Sequence, residues 1–206
     1  ALGGNKTRHN EFLIGDALAN GADIVVWGAG VQSNNCRQTA AACARVGLDC
    51  HLVLGRGTQS DLPVEIQGNL LLDHLLGAMI EIVPEGVGPE LVRKIKQRAE
   101  FYQQKGRTPY RWDPPVVKPL AALSYALCFF EIVEQLAAQG FSPDLIYVSS
   151  AGSTGAGMAL GKALLEHSAQ VKIIAPMDWP WDTKADLAKT ARDAARLLGM
   201  NLSLKT

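Results

Sequence analysis

Short apolar runs and longer amphipathic stretches take turns along the chain. The runs over 23–27, 50–54, 78–83, 144–149 and 171–175 are bounded by Gly, Asn, Asp or Pro and predict buried strands. Between them, helices are predicted over 11–20, 34–46, 68–76, 89–105, 120–139, 155–166 and 184–198, the fourth of these charged and amphipathic. Strands alternating with helices predict an α/β protein whose helices cover open, mainly parallel sheets. The stretch "GRGTQSDLP" predicts a loop. The stretch "GRTPYRWDPPVVKP", with four prolines, predicts the seam between two domains. There is no internal repeat and no low-complexity segment.

Composition narrows what such a chain can do. At 206 residues with 48% hydrophobic and 19% charged content, it can bury one large core or two small ones. Lys plus Arg equal Asp plus Glu at 20 each, and no long run of like charge provides a footprint for nucleic acid or an anionic membrane. A small neutral or zwitterionic ligand is the expected partner. The most apolar stretch, 120–133, contains Glu131 and precedes Glu134, and it falls short of the ~20 residues that span a bilayer, so it predicts a core helix. The stretch "ALGGNKTRHNEF" lacks the apolar run expected of a secretory signal, and Cys36, Cys43, Cys50 and Cys128 form no C-x-x-C pair. They read as reduced packing residues of a cytoplasmic protein, with Cys36 and Cys43 on one helix face. His51, His74 and His167 are scattered and predict no metal site.

Two strand-to-helix turns carry the candidate chemistry. In "VVWGAGVQSNNCRQTA" an apolar strand leads through a glycine turn into a helix, the first half of a dinucleotide fingerprint. Ser33 stands where the third glycine belongs, and the following strand ends without the Asp or Glu that binds a ribose. Arg56 leaves an NADP-dependent dehydrogenase using Gly28 and Gly30 as one alternative. Gln32, Ser33, Asn34 and Asn35 instead place hydroxyl and amide groups at a helix start, which suits a carboxylate, or simple N-capping by Ser33 or Asn34. The second turn, in "IYVSSAGSTGAGMALG", sets Ala151, Gly152, Ser153 and Thr154 where backbone N–H groups and two hydroxyls can surround a phosphate. No G-K-[ST] follows, so it is not a P-loop. Gly155 and Gly157 also predict tight helix packing. At the start, "GGNKTR" holds Lys6 behind two glycines, and with both anion-binding turns this suggests an amine for Schiff-base chemistry with pyridoxal phosphate. The tryptophans of "PMDWPWDTK" read as loop packing.

"LGGNKTR", "QSNNCRQTAAACARVGLDCHLVL", "GNLLLDHLLGA" and "AGSTGAGMALG" resemble, in order and spacing, segments of the D-cysteine desulfhydrase and 1-aminocyclopropane-1-carboxylate deaminase family. These are pyridoxal-phosphate enzymes of the tryptophan-synthase-β type (fold type II). The resemblance implies that Lys6 carries the cofactor, that Lys6 and Ser33 are catalytic, Ser33 as a nucleophile or a carboxylate binder, and that Asn5, Ser33, Asn34 and Asn35 face substrate. It also implies that Asn34 lies near the cofactor's ring hydroxyl and that residues 151–154 hold its phosphate. It implies a smaller domain over 9–113 and an incomplete larger one over 114–206 that residues 1–8 join, with the cofactor between them. Family members are roughly half as long again, so the chain resembles a truncated member or an excerpt, inactive alone and a homodimer when full length. The implied reaction is β-elimination from D-cysteine to pyruvate, ammonia and sulfide. Opening of the cyclopropane amino acid and a non-catalytic remnant are the alternatives. One segment and one further residue depart from the family pattern. Pro115, Val116 and Val117 replace a Gly-Gly-Ser segment. His9 replaces a phosphate-binding lysine, and as an ordinary histidine it would strengthen phosphate binding at pH 6 over pH 8.

Overall fold

The computed structural model describes residues 3–57, 64–179 and 181–202; most of the loop expected at 55–63, Pro180 of the tryptophan stretch and the first two residues lie outside them. The chain divides into two compact units, Ala1–Asp113 and Pro114–Thr206.

The first unit is built on a four-stranded parallel sheet in the order β3-β2-β1-β4, formed by β1 (Ile24–Gly30), β2 (Asp49–Gly55), β3 (Met79–Val83) and β4 (Pro109–Arg111). Helices α1 (Lys6–Ala19), α2 (Asn34–Val46), α3 (Gly68–Leu75) and α4 (Pro89–Gln104) complete it. The apolar run of β1 is buried throughout, as a strand covered on both faces must be. Ile24, Val26 and Val53 pack with Leu91, Ile95 and Ala99 of α4. Each large side chain so buried contributes roughly 1.5–3 kcal/mol.

Strand β1 runs three residues further than its apolar pattern predicts and takes in both glycines expected in the turn. A Cβ on Gly28 would collide with the Val53 carbonyl oxygen and lie 2.8 Å from Ile95 Cδ1, so this glycine lets β1 lie close to its neighbours. Gly30 pairs with Gly55 at the strand ends. The turn itself is residues 31–33. Strand β4 lies inside the proline-rich stretch and goes unpredicted because it has only three residues. Its Pro109 needs no N–H at the start of an outer strand.

The second unit pairs β5 (Leu145–Ser149) with β6 (Gln170–Ile174) in parallel, with α5 (Pro114–Ala138), α6 (Ser153–Leu164) and α7 (Thr183–Leu197). Helix α5 starts six residues before its predicted beginning. Pro114 and Pro115 occupy its first turn, where no N–H has a partner within the helix, and Pro119 is carried inside. It is long and apolar enough to cross a membrane by length and composition, yet Ala122 and Ala126 pack with Ala156 and Leu160 of α6 and Ala191, Ala194 and Ala195 of α7. That is the packing of the core helix its sequence predicts. Gly157 and Gly161, one turn apart on α6, make the approach possible: a Cβ at Gly161 would lie 2.6 Å from Phe129 Cβ and 2.7 Å from the Ala126 oxygen. The tryptophans before α7 stack on each other at 4.8 Å.

Candidate functional site

In the order β3-β2-β1-β4 the chain leaves β1 toward β2 on one side and returns on the other as β4. The carboxyl end of β1 is therefore the topological switch point, where open α/β sheets take their ligands. Helix α2 begins there. Ser33 is its N-cap, with extended backbone (φ −70°, ψ 122°), and its Oγ accepts the N–H groups of Asn35 at 3.1 Å and Cys36 at 3.2 Å. The capping reading and the anion-site reading describe the same atoms, because the hydroxyl still has its own proton to donate. Asn34 is exposed and Asn35 half-buried, the latter accepting from Thr39 Oγ1 at 3.5 Å. Burial pushes the Cys36 thiol up to about 12. Cys43 and Cys50 are buried too, and all four cysteines are unbridged, as packing residues would be.

Lys6 is the first residue of α1, five residues before the predicted helix start, and is half-buried. Burial lowers its amine below the ordinary lysine range. Asn5 occupies the N-cap position of α1 without a side-chain cap bond. The cap is supplied from α2: Thr7 donates its N–H to Gln38 Oε1 at 3.0 Å, and the Gln38 amide donates to the Asn34 oxygen at 2.9 Å. Arg37 Nη1 donates to the Gly3 oxygen at 2.9 Å. Asn5, Lys6, Ser33, Asn34 and Asn35 thus lie in one unit, linked by hydrogen bonds.

His9, one turn further along α1, is 6% exposed, and burial together with the Lys6 charge pushes its pKa down to about 3. It stays neutral from pH 6 to pH 8. The expectation that it titrates in that range and strengthens phosphate binding at pH 6 is corrected by this burial.

Asn69 carries no role in the sequence reading, yet it organises the turn. Its Nδ2 donates to the Gln32 oxygen at 2.8 Å and to Asn34 Oδ1 at 2.9 Å, and its backbone N–H donates to Gln32 Oε1 at 2.9 Å. Gly68 before it has a positive φ of 56° and closes against the Gln32 amide. A glycine followed by asparagine at a predicted helix start was the available signal. Its partners lie 35 and 37 residues away and could not be read locally.

Ala151, Gly152, Ser153 and Thr154 lie in the second unit, at the start of α6. The loop is shaped by Ser150, which the sequence reading passed over. Its Oγ accepts the N–H groups of Gly152 at 3.2 Å and Gly155 at 2.9 Å. Ser153 and Thr154 are buried, and among the described residues other than its two chain neighbours nothing lies within 4 Å of where a Cβ on Gly152 would stand. Backbone N–H groups at a helix start beside open space fit a phosphate.

The family described as "Pyridoxal-phosphate dependent enzyme" matches residues 1–192. The chain is 38% identical over 201 residues to the 1-aminocyclopropane-1-carboxylate deaminase of Burkholderia vietnamiensis, covering 96% of this chain and 60% of that protein. It is 32% identical over 204 residues to the putative 1-aminocyclopropane-1-carboxylate deaminase of Pyrococcus horikoshii, covering 99% and 60%. Among solved structures, an ACC deaminase homologue matches with a TM-score of 0.87 at 33% identity, over the whole of this chain and 61% of the other. O-ureido-L-serine synthase, at TM-score 0.65 and 20% identity over 84% of this chain and 51% of that one, shares the fold. The chain spans 60% of the length of the curated relatives it matches.

Proposed function

The chain belongs to the pyridoxal-phosphate-dependent enzyme family, and we propose that it forms the cofactor-attaching part of a lyase or deaminase acting on a small α-amino acid. The observation that carries this reading is the placement of Lys6, half-buried so that its amine pKa is lowered, beside Thr7, whose N–H is joined through Gln38 to Asn34 of the substrate-facing turn. An amine must be neutral to add to an aldehyde, so burial suits Lys6 to attachment. When bound, pyridoxal phosphate draws electrons from the α-carbon of an amino acid joined to it, so that a bond there breaks.

Other residues divide the remaining work. Lys6 Nζ, when not bonded to the cofactor, is the base that takes a proton from the α-carbon of a substrate such as D-cysteine; the cyclopropane amino acid has no proton there. Ser33 keeps its hydroxyl proton for the substrate carboxylate, beside Asn5 and Asn35, while Asn34 turns its amide to the cofactor's ring hydroxyl. Ala151, Gly152, Ser153 and Thr154 take the phosphate, the N–H groups of Ser153 and Thr154 at the start of α6 donating to it while Gly152, whose own N–H is held by Ser150, leaves it room.

Within this class, D-cysteine is the first substrate to assay, giving pyruvate, ammonia and sulfide. The names of the relatives favour a second reading, opening of 1-aminocyclopropane-1-carboxylate with release of ammonia and no sulfide. Sulfide release by the full-length enzyme separates the two.

The attachment is tested on the 206-residue chain. Incubation with pyridoxal phosphate, borohydride reduction and peptide mass spectrometry should place the label on Lys6. Label spread evenly over surface lysines, or none on Lys6 in a folded sample, overturns the reading.

A further inference from the structure

Gln38 is a polar side chain at 1% exposure in the second turn of α2, and every polar atom of its amide is engaged. Oε1 accepts the Thr7 N–H at 3.0 Å and the Thr7 hydroxyl at 3.4 Å; Nε2 donates to the Asn34 oxygen at 2.9 Å. The first N–H groups of a helix have no partner within it and are commonly met by the N-cap side chain. At α1 the Asn5 side chain makes no such bond, and Gln38 does so from another helix. The backbone of the Lys6 segment is shaped to admit it. Gly4 has a φ of 121°, which L-residues rarely adopt, and a Cβ there would lie 2.7 Å from Gln38 Nε2 and 2.8 Å from Oε1.

We propose that Gln38 is the positioning residue for Lys6: its one amide fixes the start of α1, where Lys6 stands, to the start of α2, where the substrate-facing turn begins. The proposal rests on the reading that Lys6 bears the cofactor. Glutamine suits the task because it offers an acceptor to one helix and a donor to the other without charge. A glutamate could still accept from Thr7 but could not donate to Asn34, and it would set a negative charge beside the start of α1. A methionine would fill the space and make neither bond.

The test is pH-resolved borohydride trapping of pyridoxal phosphate on the 206-residue chain, with the label on each lysine counted by peptide mass spectrometry and folding followed by circular dichroism. In Gln38→Met, the share of label on Lys6 should fall about fivefold at every pH, the equivalent of about one neutral hydrogen bond. In Gln38→Glu, trapping at Lys6 should move to higher pH by about one unit and recover in alkali, because a nearby negative charge favours the protonated amine. A residue that only packs would lower the melting temperature of both variants and leave Lys6's share and pH profile as in the wild type. That result overturns the proposal, as does loss of folding in both variants. Wild-type protein that fails to label Lys6 overturns the reading of Lys6 itself, a separate outcome.

Discussion

At Ser33 one oxygen caps α2 and the attached proton stays available to a ligand, so removing the hydroxyl has two effects. Ser33→Ala should lose about 1 kcal/mol of stability, the usual cost of an N-cap, together with turnover in the full-length enzyme. Ser33→Asp restores a cap but repels a carboxylate. Urea unfolding midpoints should therefore recover in Ser33→Asp while turnover does not. A recovery of turnover as well would leave Ser33 as a cap alone. His9 makes the contrasting case. Its imidazole is buried beside Lys6 and already neutral at pH 6. His9→Lys should lower the melting temperature by burying a second charge next to Lys6, without tightening cofactor binding. Dissociation constants at pH 6 and pH 8, corrected for the phosphate's own titration, should show no contribution from His9. Both residues were visible as candidates in the sequence. What separated them was burial, which their neighbours along the chain do not reveal.

Among the elements, α5 and α6 show how small residues set the distance between helices. Gly157 and Gly161 face Ala122 and Ala126, and the Ala126 oxygen stands only 2.7 Å from where a Cβ on Gly161 would be. Gly161→Ala should destabilise the chain by roughly 1–3 kcal/mol, the usual range for overpacking, seen as a lowered unfolding midpoint. Alanine at Gly152, in the open space of the loop before α6, should leave that midpoint nearly unchanged. The repeated glycines of "AGSTGAGMALG" therefore serve two purposes along one element, and the sequence alone suggested both. Where the pattern misled was at element ends. The prolines at 114 and 115 stand where the two units divide and also form the first turn of α5, because a helix start tolerates what its interior does not. Helix α1 begins at Lys6 rather than Glu11, and the N–H of its second residue is met by the Gly4 oxygen at 3.3 Å and by Gln38 from another element at 3.0 Å.

Across the molecule, one buried acid should govern how stability changes with pH. Asp73 on α3 is fully buried, and neither carboxylate oxygen has a hydrogen-bond partner among the described residues. Burial raises its pKa to about 7 against the opposing pull of Arg37, and its charge would in turn hold up the thiols of Cys36 and Cys50. The folded protein then keeps a proton that the unfolded chain gives up near its ordinary value of 3.8. The stability that this proton contributes is fully present below the unfolded value and is lost as pH rises through the folded one. Each unit of pH in that window removes at most about 1.4 kcal/mol. Urea midpoints should therefore fall from pH 5 to pH 8 in the wild type and fall less in Asp73→Asn. Equal slopes in the two proteins would show that Asp73 is solvated.

The sequence by itself determined the features that depend on near neighbours. Apolar runs specified the five longer strands, and the residues of "QSNN" placed a helix cap at Ser33 or Asn34, because capping joins atoms two and three residues apart; the burial expected of all five strands holds for β1 and β2, whereas β5 and β6 leave alternate residues exposed. The sheet's switch point, the anchoring of Lys6 by a glutamine 32 positions later in the chain, and the Asn69 bonds to the turn were decided only by the tertiary structure. So were the lowered pKa of Lys6 and the raised pKa of Asp73. The physical reason is the same for all of them. A hydrogen bond across elements, or the loss of water around a charge, depends on which distant segments the fold brings together, and spacing along the chain carries no record of it.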